Sequence, residues 1–184
     1  MSIPLQNTTK DKLLEAAVRV LNVHPGASLA DVALRAGVKR VTLHRVIGTR
    51  EDLLRELALR SLAQTDAACQ HAVIGKAKSI DQLKAIVAAL VPHAENCHFL
   101  WKNPDICDDP EIARDVKHHE KVLLTLIERV ITEGHIQPSL SPKWVMASLD
   151  AVLYAAATTA RQEDMPMEEA SSLAVQTLFG GIKA

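Results

Sequence analysis

Aromatic side chains are scarce: two Trp, one Tyr and two Phe in 184 residues. That is too few for a surface that reads unstacked bases by stacking them on rings. Cysteine is scarcer still. Cys69, Cys97 and Cys107 form no CxxC pair, which excludes a disulfide framework or a four-cysteine zinc knot and suits a cytoplasmic protein. Long apolar runs are missing too. The most apolar stretch, residues 149–160, holds Asp150 and two threonines and is too short to span a bilayer. The first dozen residues are polar, without the apolar segment of a signal peptide. Neither sign of charge dominates. With 21 Lys/Arg against 22 Asp/Glu the formal charge is −1, so the chain is not a uniformly basic nucleic-acid coat. A composition of 48% hydrophobic and 23% charged residues excludes a disordered tail.

Alanine and leucine, by contrast, supply 49 of the 184 residues, and turn signals recur at helical rather than strand spacing. The chain reads as all-α. Ser28-Leu-Ala-Asp31, Thr49-Arg-Glu-Asp52 and Ser79-Ile-Asp-Gln82 each set a hydroxyl at an N-cap with an acceptor three residues on. Asp109-Pro110 and Ser141-Pro142 add a cap followed by proline at the first helical position, where its missing N–H removes no helix bond. Gly26, Gly37, Gly48, Gly75 and Gly134 mark the stops. Helices are expected over 8–23, 29–36, 39–47, 50–74, 80–102, 110–133, 142–163 and 167–180, with one further turn within 103–109.

Charge is unevenly spread along this pattern. Residues 1–60 carry ten Lys/Arg against six Asp/Glu, a balance of +4, and residues 61–184 carry eleven against sixteen, a balance of −5. A basic head on an acidic body suits a polyanion at one end only. Within the head, the first helix offers Leu13, Leu14, Ala17, Val18 and Leu21 as an apolar stripe, the second Leu29, Val32, Ala33 and Ala36, and the third Leu43, Val46 and Ile47. Arg40, Val41, His44 and Arg45 are left facing outward. Two short helices joined by a Gly-containing turn form the helix-turn-helix arrangement, whose second helix enters the DNA major groove. Lys39, Arg40, Thr42, His44 and Arg45 supply groups suited to guanine edges and phosphate oxygens.

The run from Leu29 to Leu54 resembles the TetR/AcrR family of bacterial transcriptional regulators. The resemblance covers about residues 8–57 and rests on Asp31-Val-Ala, Ala36-Gly-Val, Thr42-Leu43 and Thr49-Arg-Glu-Asp-Leu53. It implies a helix-turn-helix DNA-binding domain over 1–48 and a helical ligand-binding and dimerisation domain over 49–184. It also implies that Thr42, His44 and Arg50 contact phosphates. The outward direction of Lys39, Arg40 and Arg45 assigns these three to the bases. The chain departs from the family in three places: Lys39 stands where a small polar residue is usual, His44 where tyrosine is usual, and Val46-Ile47 where His-Phe is usual. If a protonated His44 contacts phosphate, affinity falls as pH rises through the histidine range.

Beyond the head, the fifth helix carries Ile80, Leu83, Val87, Leu90, Ala94, Cys97/His98 and Trp101 on one stripe, and the sixth Ile112, Val116, His119, Leu123, Leu126/Ile127 and Val130. His98, Trp101 and His119, with Tyr154 on the seventh, suit the lining of a small-molecule effector pocket. The seventh helix is apolar on more than one face, which requires cover on both sides. The family resemblance places a homodimer interface there, over about 142–180. It further implies a repressor that binds a palindromic operator double helix as a dimer and is released by an effector.

Rival readings rest on other residues. No GxGxxG, Walker A, HExxH or GxSxG pattern is present, so no cofactor and no catalytic residue is assigned. Glu95-Asn-Cys-His98 and Asp115-Val-Lys-His118 have the carboxylate-x-x-His spacing of di-iron helical bundles. His93, Cys97 and His98 offer a similarly weak mononuclear set. The atypical Lys39, His44 and Val46-Ile47 also fit a family-shaped protein that has lost DNA binding.

Overall fold

The computed structural model describes residues 8–95 and 104–182. Its helices are α1 (Thr9–Val23), α2 (Leu29–Arg35), α3 (Arg40–Val46), α4 (Arg50–Ala72), α5 (Ser79–Leu90), α6 (Pro110–Thr132), α7 (Pro142–Gln162) and α8 (Met167–Ile182). Short 3-10 turns stand at Val91–His93 and Pro104–Asp108.

Local chemistry sets the starts. Complete capping boxes open three of the four N-terminal helices: Thr8 with Asp11, Ser28 with Asp31, and Thr49 with Asp52. In each, the hydroxyl accepts from the backbone of the aspartate while the carboxylate accepts from the cap residue. These bonds hold the carboxyls below their usual range. For Asp31 the Ser28 hydroxyl is the leading cause, and for Asp52 the Thr49 backbone N–H. Asp109 and Ser141 cap α6 and α7 ahead of their prolines, as the spacing requires.

Two expectations fail. Ser79 is not a cap but the first residue of α5; it is buried, and its hydroxyl donates to Glu133 just after α6. The single helix over 80–102 is also broken, because Pro92 cannot donate the backbone bond that would continue it. α5 therefore ends at Leu90 and the chain tightens into the turn at Val91–His93.

Two apolar cores result. The first joins Leu13, Ala17 and Leu21 of α1 to Val32, Ala33 and Leu43 of the next two helices. Leu53, Leu57 and Leu62 of α4 join it, as does Ile112 from the start of α6. The second is built from α5, the end of α6, α7 and α8 around Leu83, Val87, Ile127, Val130, Val145, Leu149, Ala174 and Leu178. α4 serves both cores: Leu53 to Leu62 in the first, Cys69 and Ala72 against the second.

Candidate nucleic-acid interface

α3 spans seven residues and follows α2 after a turn in which Gly37 takes φ +69°. Leu43 is fully buried and anchors α3 in the first core, with Val46 and Ile47 packed at its edge. The hydrophobic plug is thus kept despite the unusual Val46-Ile47 pair. At about 100° per residue, this anchoring turns Arg40, Val41, His44 and Arg45 to solvent, and all four are exposed. Thr42 lies half-buried at the flank, and Lys39, the N-cap, is exposed with an extended backbone and no side-chain cap bond.

The outward side chains are not equivalent. Arg40 Nε donates to His44 Nε2 at 3.3 Å, and His44 Nδ1 lies 3.1 Å from the Gly48 carbonyl oxygen. A ring nitrogen that accepts from Arg40 has no hydrogen of its own, so Nδ1 carries it and donates to Gly48. His44 thereby ties α3 to the turn before α4 and orients the exposed Arg40. Arg50, expected at phosphate, directs Nη1 to the Ala27 carbonyl and Nη2 to that of Pro25, both at 2.5 Å. Those bonds clamp the α1–α2 turn to the start of α4.

The electrostatics follow from what is already paired. Five of the head's six carboxylates are engaged away from α3: Asp11, Asp31 and Asp52 in capping boxes, Glu56 with Lys10 at 2.8 Å, and Glu15 with Arg60 at 3.8 Å. No ion pair involves Lys39, Arg40 or Arg45 among the described residues. The face carrying them is a cationic ridge without a carboxylate of its own, suited to a phosphate backbone and to base edges.

The body side contains fewer of its expected contacts. His98 and Trp101 lie outside the described residues. His119 is half-buried on α6, with Nδ1 2.8 Å from the Asp115 carbonyl and Nε2 3.4 Å from Oδ1 of Asp66 on α4. Tyr154 is 36% exposed on the outward side of α7, on a stripe with Trp144 (62% exposed), Ala147, Ala151 and Ala155. The stripe faces away from Leu149 and Leu153, and Leu173 of α8 is exposed as well. Of the rival metal sets, Cys97 and His98 lie outside the described residues. Among those described, no three His, Cys, Asp or Glu side chains converge to hold a metal. No described helix is long and apolar enough to cross a membrane.

Two polar contacts among the described residues add to the packing between head and body. Arg55 of α4 binds Asp109 and Glu111 at the start of α6, and Asn22 of α1 donates to the Glu95 carbonyl at 3.2 Å. Between α1, α4 and the Val91–His93 turn lies an open cavity of about 350 Å³, lined in part by Arg19, Arg60, Gln64, His93 and Glu95. Burial lowers the His93 pKa there.

No family model matches the chain. Over 174 residues, however, it is 30% identical to the HTH-type transcriptional repressor LfrR of Mycolicibacterium smegmatis, a span that covers 95% of this chain and 90% of that protein. Over 100 residues, 53% of this chain and 54% of the relative, it is 28% identical to the HTH-type transcriptional regulator NfxB of Pseudomonas aeruginosa. The crystal structure of the TetR-like regulator LfrR in complex with proflavine is similar at a TM-score of 0.72 and 28% identity, covering 96% of this chain and 97% of that one. The ketosteroid transcriptional regulator KstR2 of Mycobacterium tuberculosis reaches 0.78 at 18% identity, over 98% and 97% of the two chains, a likeness of fold alone.

Proposed function

The chain belongs to the TetR family of transcriptional regulators, and from that premise we propose that it is a repressor that binds a palindromic operator as a homodimer and is released by a small-molecule effector. The observation that carries the DNA-binding part is the carboxylate-free cationic ridge of α3. Lys39, Arg40 and Arg45 reach base edges and Thr42 a flanking phosphate, while His44, expected at phosphate, has both ring nitrogens engaged by Arg40 and Gly48 and acts by holding Arg40 in place. Arg50 holds the α1–α2 turn and offers its outer edge to a phosphate.

The homodimer forms through α7 and α8. Its support is the outward stripe of Trp144, Ala147, Ala151, Tyr154 and Ala155 beside Leu173, an apolar surface with small residues that let two helices approach closely. Two such subunits carry recognition helices that enter successive major grooves about 34–36 Å apart. An effector that favours a different spacing weakens DNA binding by its differential affinity for the two shapes. The effector site is assigned to the body near His119 and Asp66, half-buried polar groups on α6 and α4. The proflavine complex of LfrR supports a small organic molecule as the ligand class.

The test is selection from random duplex DNA by the purified protein at moderate salt. An enriched palindrome is expected. Arg40→Ala with Arg45→Ala should lower affinity for it by about a hundredfold or more with helicity and oligomeric state unchanged. If the folded protein enriches no sequence, operator recognition is refuted.

A further inference from the structure

Val41 is the odd member of the α3 ridge. It lies about 200° around the helix from the fully buried Leu43, which puts it at the crown, the part of α3 farthest from the core. It is 78% exposed. Nothing in the fold calls for a valine there. A β-branched residue is a poorer helix former than alanine, and this one contributes nothing to the head core. An exposed valine elsewhere on a surface would carry no meaning. Here its neighbours are Arg40 before it, Arg45 one turn on and Lys39 at the helix start, all cationic and exposed. The surface that such a ridge meets is the floor of a major groove, whose walls are phosphate. On that floor the apolar group offered by a base edge is the C5-methyl of thymine.

We propose that Val41 is a specificity-determining residue that packs its two methyl groups against a thymine methyl in each operator half-site. This rests on the reading of the chain as an operator-binding regulator. The division of labour is physical. The Arg40–His44 row is tied by its hydrogen bonds to the Gly48 turn, while the Val41–Arg45 row stands at the crown with no such tie. Valine also holds essentially one χ1 rotamer in a helix, so its methyls are already in position when the helix docks and little side-chain freedom is lost. The valine discriminates thymine from cytosine at one step by the methyl group, and the arginine beside it reads the adjoining step by its fork.

The experiment uses the full chain and the duplex it selects. Each thymine of a half-site is replaced in turn by uracil, which removes the methyl and leaves every hydrogen-bonding edge intact. For the wild-type protein, uracil at one position per half-site should weaken binding by roughly three- to tenfold. Val41→Ala, a change at an exposed helix position, should keep its helicity, bind the thymine duplex more weakly by a similar factor, and be indifferent to uracil there. A half-site without thymine, uracil indifference in the wild type, or the same uracil loss in Val41→Ala would each overturn the assignment while leaving operator binding intact. Failure to select any duplex would overturn both.

Discussion

Arg55 and Asp109, 54 positions apart, share a hydrogen bond of 2.8 Å from Nε to Oδ2. The other oxygen of the same carboxylate accepts from the backbone N–H of Glu111 at 2.9 Å and of Ile112 at 3.2 Å. One side chain thus caps α6 and fixes it to α4, and the Arg55 guanidinium, followed by the Ile112 N–H, holds its pKa below the usual carboxylate range. Because α4 leads directly to the turn that ends α3, a displacement of α6 is felt at the ridge. Arg55→Ala is expected to leave the dimer and its operator specificity intact while the ratio of affinities without and with effector falls by about threefold or more. Titration of operator at fixed effector concentrations checks this, and an unchanged ratio would remove Arg55 from the transmission path.

Arg50 offers a different separation. A residue that only meets phosphate lowers affinity when removed and reduces the dependence of log K on log salt by about one unit. The bonds from Arg50 to the carbonyls of Pro25 and Ala27 predict a second effect. Arg50→Ala should also lower the midpoint of urea unfolding, and Arg50→Lys, with a single ammonium, should restore the salt slope better than the midpoint. Equal midpoints for all three proteins would confine the residue to phosphate.

Gly48 and Gly37 both have positive φ, at +106° and +69°, yet their surroundings differ. A Cβ on Gly48 would sit 2.4 Å from Oδ2 of Asp52, the oxygen that accepts from Thr49, whereas a Cβ on Gly37 meets nothing within 4 Å. Gly37→Ala should cost about 1 kcal/mol for the left-handed backbone alone. Gly48→Ala adds loss of the capping box and should reach roughly 2–3 kcal/mol, with weakened operator binding because His44 is bonded to the Gly48 carbonyl. Equilibrium unfolding of the two variants side by side checks the order.

Asp150 sits on the flank of α7, and burial raises its pKa to about 6. The ionised form is therefore disfavoured in the fold. Stability linked to this group is full below about pH 4 and is lost as pH rises through 6. Asp150→Asn should raise stability at pH 8 by about 1–2 kcal/mol after allowance for its partial exposure, and by nothing at pH 4. The capping carboxylates act in the opposite sense. Asp11, Asp31 and Asp52 are held low by their boxes, so their contribution is present above about pH 4 and lost in more acid solution. Unfolding curves at pH 3, 5 and 8 separate the two effects.

Much of this was legible in the chain because helix ends are local events. Thr49 and Asp52, or Asp109 and its proline, lie within one turn of each other and need no distant partner to be recognised. The same logic fails at Ser79, whose hydroxyl answers to Glu133 across the bundle, and at Pro92, where a stripe of apolar residues continues past a residue that cannot sustain the helix. The clamp that Arg50 makes on the α1–α2 turn is not legible because its carbonyl partners lie 23 and 25 positions earlier. The direction of Tyr154 follows from spacing alone: it lies three residues beyond Ala151 and on the side opposite Leu149, the outer stripe that also carries Trp144.

Ile112 is fully buried in the first core although it lies 50 residues past Leu62, the last residue that α4 adds there. During synthesis the leading helices consequently leave the ribosome with their interior open, and α4 narrows the gap but does not close it. The fully buried Ile112 arrives only with the first turn of α6, and Val116 packs against the core one turn later. The head is not a detachable cassette. A chimera that exchanges recognition helices between relatives by cutting at residue 48 would leave Leu53 and Ile112 to be matched by a foreign set of side chains. Grafts that carry α3 alone, or everything through the start of α6, should yield folded protein more often than grafts cut at the turn.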